Sequence, residues 1–396
     1  MRKRRKWILF ILGCFVVLWI TQAVIVSANI KRISSFIKDK SGDILSGNLV
    51  TGNIETSYFE TFPFLSVRVD DISITDSLFA RHKEELFRSD YAFIRINPFL
   101  LIRGNPVDRI IFKNGRLFSH TDSTGYSNRT ALKLKEKNAG ERKSIKNGER
   151  RFPALILKNF VLHFDNPSKN NFYEFNVKKL KAEVEQQADG IFKIALHTKA
   201  RINRLTVPGS LGDYLYHKNI NASIGFELSR GEKLNFSEAS INVEGSPLLF
   251  DGNFYFDREK PRFNIRIKAD KLPYEEAVSF LPDSVKNKFD AYYFNKPLNF
   301  QVDIQGINDF KSKPLLELVI TTSKNKIISP YGIFSDCNFR FLFHNQFLPG
   351  TENRNSAVII TGLTGRLKGL PVKADSITIT GIKDPFLDLS FLQQSY

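Results

Sequence analysis

Apolar and polar residues alternate with a period of two along most of the chain. The pattern runs through Leu65/Val67/Val69, slips by one residue across Asp70-Asp71, and resumes at Ile72/Ile74. It recurs at Phe160/Leu162/Phe164, Phe254/Phe256, Phe263/Ile265/Ile267, Phe300/Val302/Ile304, Leu316/Leu318/Ile320, Phe339/Phe341/Phe343 and Ile377/Ile379. Successive side chains of a strand point to opposite faces, so each run predicts a strand with one apolar face. Clusters of Gly, Pro, Asn and Asp between the runs supply turns, which together predict an antiparallel sheet. The slip at Asp70-Asp71 predicts a β-bulge. Helical patterns are few. Tyr274–Leu281 is one, opened by Pro273 and stopped by Pro282; Ser284–Phe289 is a second, Leu211–His217 a weak third, and Ile30–Ile37 a short amphipathic fourth.

One segment breaks the pattern. Arg2-Lys3-Arg4-Arg5-Lys6 precedes an apolar run from Trp7 to Ala28, interrupted only by Thr21 and Gln22. As a helix rising 1.5 Å per residue, residues 7–28 cover roughly 33 Å, enough for a hydrocarbon core of about 30 Å. The basic flank places the N-terminus in the cytoplasm and the rest of the chain outside. Val26-Ser27-Ala28 resembles a cleavage site, but the run is longer than a signal-peptide core, which favours an uncleaved single-pass anchor.

The expected organisation is a basic tail (1–6), a transmembrane helix (7–28), an N-terminal β region (29–128), a charged linker (129–151) and a repeated β region (152–396). The linker has no apolar periodicity. The repeat aligns Gly245-x-Pro247-x3-Asp251…Pro261-x2-Asn264-Ile265-x-Ile267 with Gly369-x-Pro371-x3-Asp375…Pro385-x2-Asp388-Leu389-x-Phe391, every pair 124 residues apart. Each copy reads as turn, strand, proline turn and strand.

Composition adds two points. Thirty-six Phe in 396 residues fit a strand-rich chain. Lys and Arg (58) exceed Asp and Glu (41), leaving +17, five of which sit in the first six residues. Charge spread along an extracytoplasmic body reads as a solvated surface rather than a nucleic-acid site.

Motifs for chemistry are lacking. His82, His120, His163, His197, His217 and His344 are scattered and show no metal-ligand spacing, and two cysteines, Cys14 and Cys337, make no disulfide framework. No G-x-G-x-x-G, G-x-x-x-x-G-K or G-x-S-x-G sequence occurs. Ser35-Phe36-Ile37-Lys38 fits S-x-x-K without a companion motif. The expectation is a protein that is not an enzyme, with no catalytic residue, cofactor or metal.

The chain resembles the AsmA-like family of bacterial envelope proteins, related in type to TamB-like lipid-transfer proteins. The resemblance rests on the basic-flanked span, Phe62-Pro63 ahead of Leu65/Val67/Val69, and Asp71-Ile72-Ser73-Ile74-Thr75-Asp76. It continues through Ile94-x-Ile96-Asn97-Pro98-Phe99-Leu100-Leu101-x-Arg103-Gly104, Asp108-Arg109-Ile110-Ile111-Phe112-Lys113-Asn114-Gly115 and Asp122-x-x-Gly125-x-x-Asn128. It covers residues 1–128, and the Gly-x-Pro repeat resembles the family's later β units. It implies a mostly β, elongated, bent antiparallel sheet with an open apolar groove, anchored in the bacterial inner membrane with its body in the periplasm. It further implies a non-enzymatic lipid conduit or outer-membrane assembly factor. The partners would be phospholipid or another envelope lipid, the inner membrane through residues 7–28, and an outer-membrane or periplasmic protein, with no nucleic acid.

The residues expected to face lipid are Phe254, Phe256, Phe263, Ile265, Ile267, Phe300, Val302, Ile304, Leu316, Leu318, Ile320, Phe339, Phe341 and Phe343. Which strand parity faces the groove is open, because a one-residue slip reverses it. The rival reading is a membrane-tethered scaffold of closed β-sandwiches that binds a protein or glycan. In that case the apolar stripe would be buried between two sheets.

Overall fold

A computed structural model of the chain describes residues 19–21, 24, 46–97, 107–132, 149–207, 212–229, 232–256, 261–307, 314–347, 355–381 and 386–390. The fold is mostly β: one large mixed, largely antiparallel sheet with few short helices. The chain divides into two compact units. The first is 1–189 with 196–203, and the second is 190–195 with 204–396. The anchor expected over 7–28 lies almost entirely outside the described residues, as do the helix at 30–37 and most of 129–151. Trp19–Thr21 and Val24 are helical. Among the described residues, no helix is long and apolar enough to cross a membrane.

In the first unit, β1 (Asn48–Val50) and β2 (Ile54–Ser57) both pair with β3 (Leu65–Thr75). β3 pairs with β4 (Phe87–Ile96), and β4 with β5 (Val107–His120), all antiparallel. A four-residue helix, α1 (Phe79–His82), joins β3 to β4. The expected antiparallel arrangement is corrected at the next joint, where β5 pairs with β7 (Ala154–Asn166) in parallel. Parallel neighbours require a connection of a dozen or more residues, and 121–153 is long enough to provide it. β8 (Asn171–Gln186) then returns antiparallel to β7, and its far end also pairs with the two-residue β6 (Arg150–Arg151).

The phase slip at Asp70-Asp71 has a different cause from the bulge expected there. β3 and β4 stay in register across it, with Asp70 opposite Tyr91 and Ile72 opposite Ser89. Asp71 instead adopts a left-handed conformation (φ 47°), as do Asn114 (φ 53°) in β5 and Asn159 (φ 55°) in β7. Asn114 and Asn159 are opposite one another in the parallel register, and the Asn159 amide donates to Asn114 Oδ1 at 3.2 Å. Asp and Asn tolerate this conformation better than other side chains. Each strand therefore slips its phase at the same level, and the apolar face continues unbroken. Leu65, Val67 and Val69 before the slip share a buried cluster with Ile72 after it, together with Ala92.

Beyond β9 (Phe192–Thr206), within which the units divide, the second unit is antiparallel throughout its described pairs. It comprises β10 (Asn219–Ser229), β11 (Lys233–Val243), β12 (Ser246–Tyr255), β13 (Arg262–Leu272), the short β14 (Tyr293–Phe294), β15 (Leu298–Ile307), β16 (Leu315–Ser329), β17 (Gly332–His344), β18 (Ala357–Leu367), β19 (Leu370–Thr380) and β20 (Phe386–Ser390). Each pairs with the next, except that β13 pairs with β15, and β14 pairs with β16. Each copy of the repeat opens on a hairpin turn and continues as the paired strands β12–β13 or β19–β20. β11–β12 turns through Glu244-Gly245 (φ 50° and 110°), and β18–β19 through Lys368-Gly369 (φ 50° and 85°). Positive φ at both turn residues is the two-residue hairpin geometry that matches strand twist.

Two predicted helices form, α2 (Tyr274–Ser279) and α3 (Asp283–Lys286), each opened by a proline. The third does not. Residues 212–217 form turns, because Leu215 (φ 49°) and His217 (φ 57°) take left-handed conformations incompatible with a helix.

Candidate functional site

In a strand ladder, directly opposed residues lie on one face of the sheet. In the second unit the register collects the alternating apolar residues into rows. One row runs Leu228, Leu234, Phe254, Phe263 and Gly306. The next runs Phe226, Phe236, Gly252, Ile265, Ile304 and Leu316. A third runs Phe250, Ile267, Val302, Leu318, Phe343, Val358 and Ile379. The fourth runs Ala269, Phe300, Ile320, Phe341, Ile360 and Ile377. Phe339 lies opposite Thr322, and Phe256 follows the end of β12. Thus the strand candidates fall on one face, which also carries Phe226, Phe236, Phe250, Val358 and Ile360.

Aromatic rings reinforce this face. Phe236 lies opposite Gly252, and its ring meets Phe250 at 5.0 Å and Phe254 at 5.9 Å, while Phe254 stacks on Phe263 at 5.7 Å. A ring from the neighbouring strand thus flanks the side-chain gap that Gly252 leaves in the sheet. The glycine is also enforced by space, since a Cβ there would lie 2.5 Å from the Asn264 carbonyl oxygen.

The extent of burial distinguishes this face from a core. Every candidate is half-buried except Phe256, which is exposed. Side chains that are buried in this unit include Val243, Leu272, Val278, Leu298, Ile327 and Cys337. Leu272 pairs with Leu298 beside α2, which contributes Val278. Burial pushes the Cys337 thiol up from its ordinary pKa. Asn325, opposite Cys337, is fully buried; its amide donates to Lys296 O (3.0 Å) and Thr322 Oγ1 (2.8 Å), and its Oδ1 accepts from Lys296 N–H (3.0 Å). Between this packed end and the apolar rows lie Lys271 and Lys324, both left-handed; their backbone N–H groups donate to Asn299 Oδ1 and Asn338 Oδ1.

The other face is polar along β13 but carries apolar residues further on, where Leu249, Val319, Leu342 and Ile359 share one row with Lys268 and Gln301. Arg262, Asn264, Arg266 and Lys268 are exposed between the apolar residues of β13, and Arg266 bonds Asp303 at 2.6 Å. That bond raises the Arg266 pKa.

Histidine–carboxylate contacts do occur in the first unit. His82 bonds Asp76 at 2.9 Å, and Asp76 also accepts from the Tyr126 hydroxyl at 2.6 Å. His120 bonds Asp165 at 2.5 Å, and Asn128 bridges the His120 N–H to the Phe118 carbonyl. Asp122 closes the intervening turn by accepting from Thr124 and Tyr126, and the Thr124 hydroxyl bond is the main cause of its lowered pKa. The motif residues Asp76, Asp122, Gly125 and Asn128 therefore build a turn against the end of β5. Among the described residues, no group of His, Cys, Asp and Glu is arranged to hold a metal. A cavity of about 860 Å³ in the first unit is lined by Arg150, Arg151, Glu183 and Glu185 among others.

No family model, curated protein or solved structure matches this chain.

Proposed function

We propose that this chain is a membrane-anchored, non-enzymatic lipid-binding protein of AsmA-like type, acting as a lipid conduit or assembly factor in the bacterial envelope. The observation that carries the reading is the apolar face of the second unit. It runs in register across β10–β13 and β15–β19, and none of its candidate residues is buried as a sandwich core would bury them. A contiguous apolar surface of this kind has a cost in water that a ligand removes. Each acyl CH₂ taken out of water contributes about 0.8 kcal/mol, so a lipid tail lying along the rows is stabilised at every step. In this reading the open apolar groove is the concave side of a bent sheet, the body is periplasmic, and residues 7–28 hold it to the inner membrane. A periplasmic or outer-membrane protein receives the lipid.

The test is native mass spectrometry with lipid extraction on the purified chain. Wild type is expected to carry phospholipid, and Phe263→Asp with Ile265→Asp to lose it while circular dichroism retains the β signal. A folded wild-type chain free of lipid would sink the proposal, and so would a lipid load unchanged by the double substitution.

A further inference from the structure

The repeat of the second unit supplies a comparison within one chain. Its two hairpin tips correspond at an offset of 124 residues, yet Asn242, Glu244 and Ser246 of the first copy stand where the second has Arg366, Lys368 and Leu370. In the first copy Glu244 Oε1 accepts from the Asn219 side chain at 3.0 Å, and the Ser246 hydroxyl donates to Glu276 at 2.6 Å. That tip is acidic and tied down. In the second copy Arg366 and Lys368 are exposed, and Leu370 is 71% exposed.

Another tip lies against this one. β16 turns into β17 through Pro330-Tyr331, with Tyr331 76% exposed. Lys368 N–H donates to the Ile333 carbonyl at 3.3 Å, and a Cβ on Gly332 would meet Leu367 at 3.2 Å and the Lys368 side chain at 3.3 Å. Behind Tyr331, Tyr293 stands opposite Ile328 and Ile328 opposite Ile333, and all three are exposed on one face. α2 packs on the other face, where Tyr274 meets the Phe294 ring at 4.7 Å.

Charge and apolar surface coincide here. Segments 293–298, 324–335 and 363–373 contain Lys296, Lys324, Lys326, Arg366, Lys368 and Lys373, all exposed, and no Asp or Glu. Among the described residues none of the six forms an ion pair. The next acid along β17 is Asp336, while Glu275, Glu276 and Asp283 belong to α2 and α3. An anionic surface complements such a corner, since each Lys or Arg brought near one contributes about fivefold in partition. Tyrosine seats at the headgroup level of a bilayer. The Tyr331 tip can enter that layer without stranding its backbone, because the Ser329 hydroxyl accepts from Tyr331 N–H at 3.2 Å and donates to Gly332 O at 3.0 Å. We infer that this corner of the second unit docks on an anionic lipid bilayer. Tyr331 and Leu370 enter the interfacial layer, and the basic residues face lipid phosphates. Two bulky apolar residues at the outermost points of adjacent turns suit a fluid layer better than the surface of an acidic protein. The corner is separate from the apolar rows, so it docks whether or not they carry lipid.

The test uses the full chain in vesicles of phosphatidylcholine alone and of three parts phosphatidylcholine to one part phosphatidylglycerol. Tyr331→Cys and Ser240→Cys, each with Cys14→Ser, are labelled with a nitrobenzoxadiazole probe; Cys337 is buried and stays unlabelled. Ser240, exposed on β11, shares a row with Val319, which precedes Ser329 by ten residues on β16 and so lies about 33 Å from the tip. Doxyl-labelled phosphatidylcholine is expected to quench the probe at 331 several-fold more in the anionic vesicles than in the neutral ones, and to leave 240 unquenched in both. Arg366→Gln with Lys368→Gln, added to Tyr331→Cys, is expected to weaken docking roughly 25-fold, about fivefold per charge. Equal quenching at 331 in the two kinds of vesicle, or at 331 and 240 in the anionic ones, would overturn the docking corner. So would a probe at 331 that stays in water beside anionic vesicles, an outcome that points to an acidic protein instead. None of these readings depends on lipid carried by the rows, so the groove proposal stands or falls separately.

Discussion

Substituting Gly115 by alanine tests the one parallel joint described in the sheet. Gly115 lies opposite Ser89 in β4 and opposite Phe160 in β7. A Cβ at this position would stand 2.2 Å from the Arg88 carbonyl oxygen and 2.4 Å and 2.8 Å from two Phe160 ring carbons. Neither neighbour has room to yield. The carbonyl belongs to the β4 backbone, and Phe160 is 2% exposed and stacked against Phe87 at 5.7 Å.

Alanine in an unstrained strand would gain about 0.4–1 kcal/mol by restricting the unfolded chain. Overpacking costs about 1–3 kcal/mol, and more where backbone must move. A net loss of about 2–3 kcal/mol is therefore expected. Phe160→Ala alone should cost about 3–5 kcal/mol through the cavity it leaves. The double variant should lose less than the two combined, by about 1–2 kcal/mol, because one clash has been removed while the Arg88 clash persists. Hydrogen-exchange mass spectrometry on peptides of β4, β5 and β7, with and without urea, reads these values locally. If Gly115→Ala stays within about 0.5 kcal/mol of wild type, or if the two changes are strictly additive, then β5 and β7 are not packed as described.

Two further expectations concern the packed end of the second unit. Asn325→Leu removes three hydrogen bonds and strands the Lys296 backbone groups; a loss of about 2–3 kcal/mol is expected, read as faster exchange in β15 and β16. Unchanged exchange there would contradict the buried position of Asn325. Tyr274, whose hydroxyl donates to Phe289 O at 3.0 Å, has its pKa pushed up to about 12, first by burial and then by Tyr292, Asp290 and Glu275. Its folded pKa is raised, so the stability it contributes is complete below the ordinary tyrosine value of 10.0 and is lost as pH rises from there to about 12. The unfolding midpoint should fall more steeply with pH over that window in wild type than in Tyr274→Phe. Parallel profiles would count against the shift.

The period of two was sufficient to read β3, β7, β12, β13, β15, β16, β17 and β19, eight of the twenty strands, because a half-covered sheet imposes it on each strand independently. The repeat was equally legible, since a two-residue hairpin demands left-handed residues and both Gly245 and Gly369 supply one. Features that depend on a neighbouring strand were not. Asn114-Gly115 has the composition of a hairpin turn, yet it lies inside β5, where Asn114 takes the kink and Gly115 makes room for Phe160. The parallel partner of β5 is reached through 121–153, whose composition carries no register. Phe226 was legible in the alternating run Ile220/Ala222/Ile224/Phe226/Leu228 but was passed over, whereas Phe236 and Phe250 sit in short or interrupted runs. Their common side appears only once β10, β11 and β12 are aligned.

The two units treat the same raw material differently, and the difference bears on function. In the first, Leu65, Val67, Val69, Ile72, Ala92 and Phe160 form buried positions, while the row Phe87, Leu117, Leu162 and Phe175 is half-buried. In the second, burial is concentrated near α2 and among small side chains such as Ala222, Ala239, Ala269, Ala357 and Ala374, while the large residues of the rows stay half-exposed. Phe, Ile and Leu contribute the most free energy on burial, about 1.5–3 kcal/mol each, and a fold selected for stability alone would cover them first. Leaving them partly exposed in register over nine strands is what the proposed lipid-binding surface requires. It also sets the size of effect to expect from an Asp in the rows. Part of its charge stays solvated, so the fold survives, whereas an Asp in place of Val67 or Phe160 would be buried without a partner and would unfold the first unit.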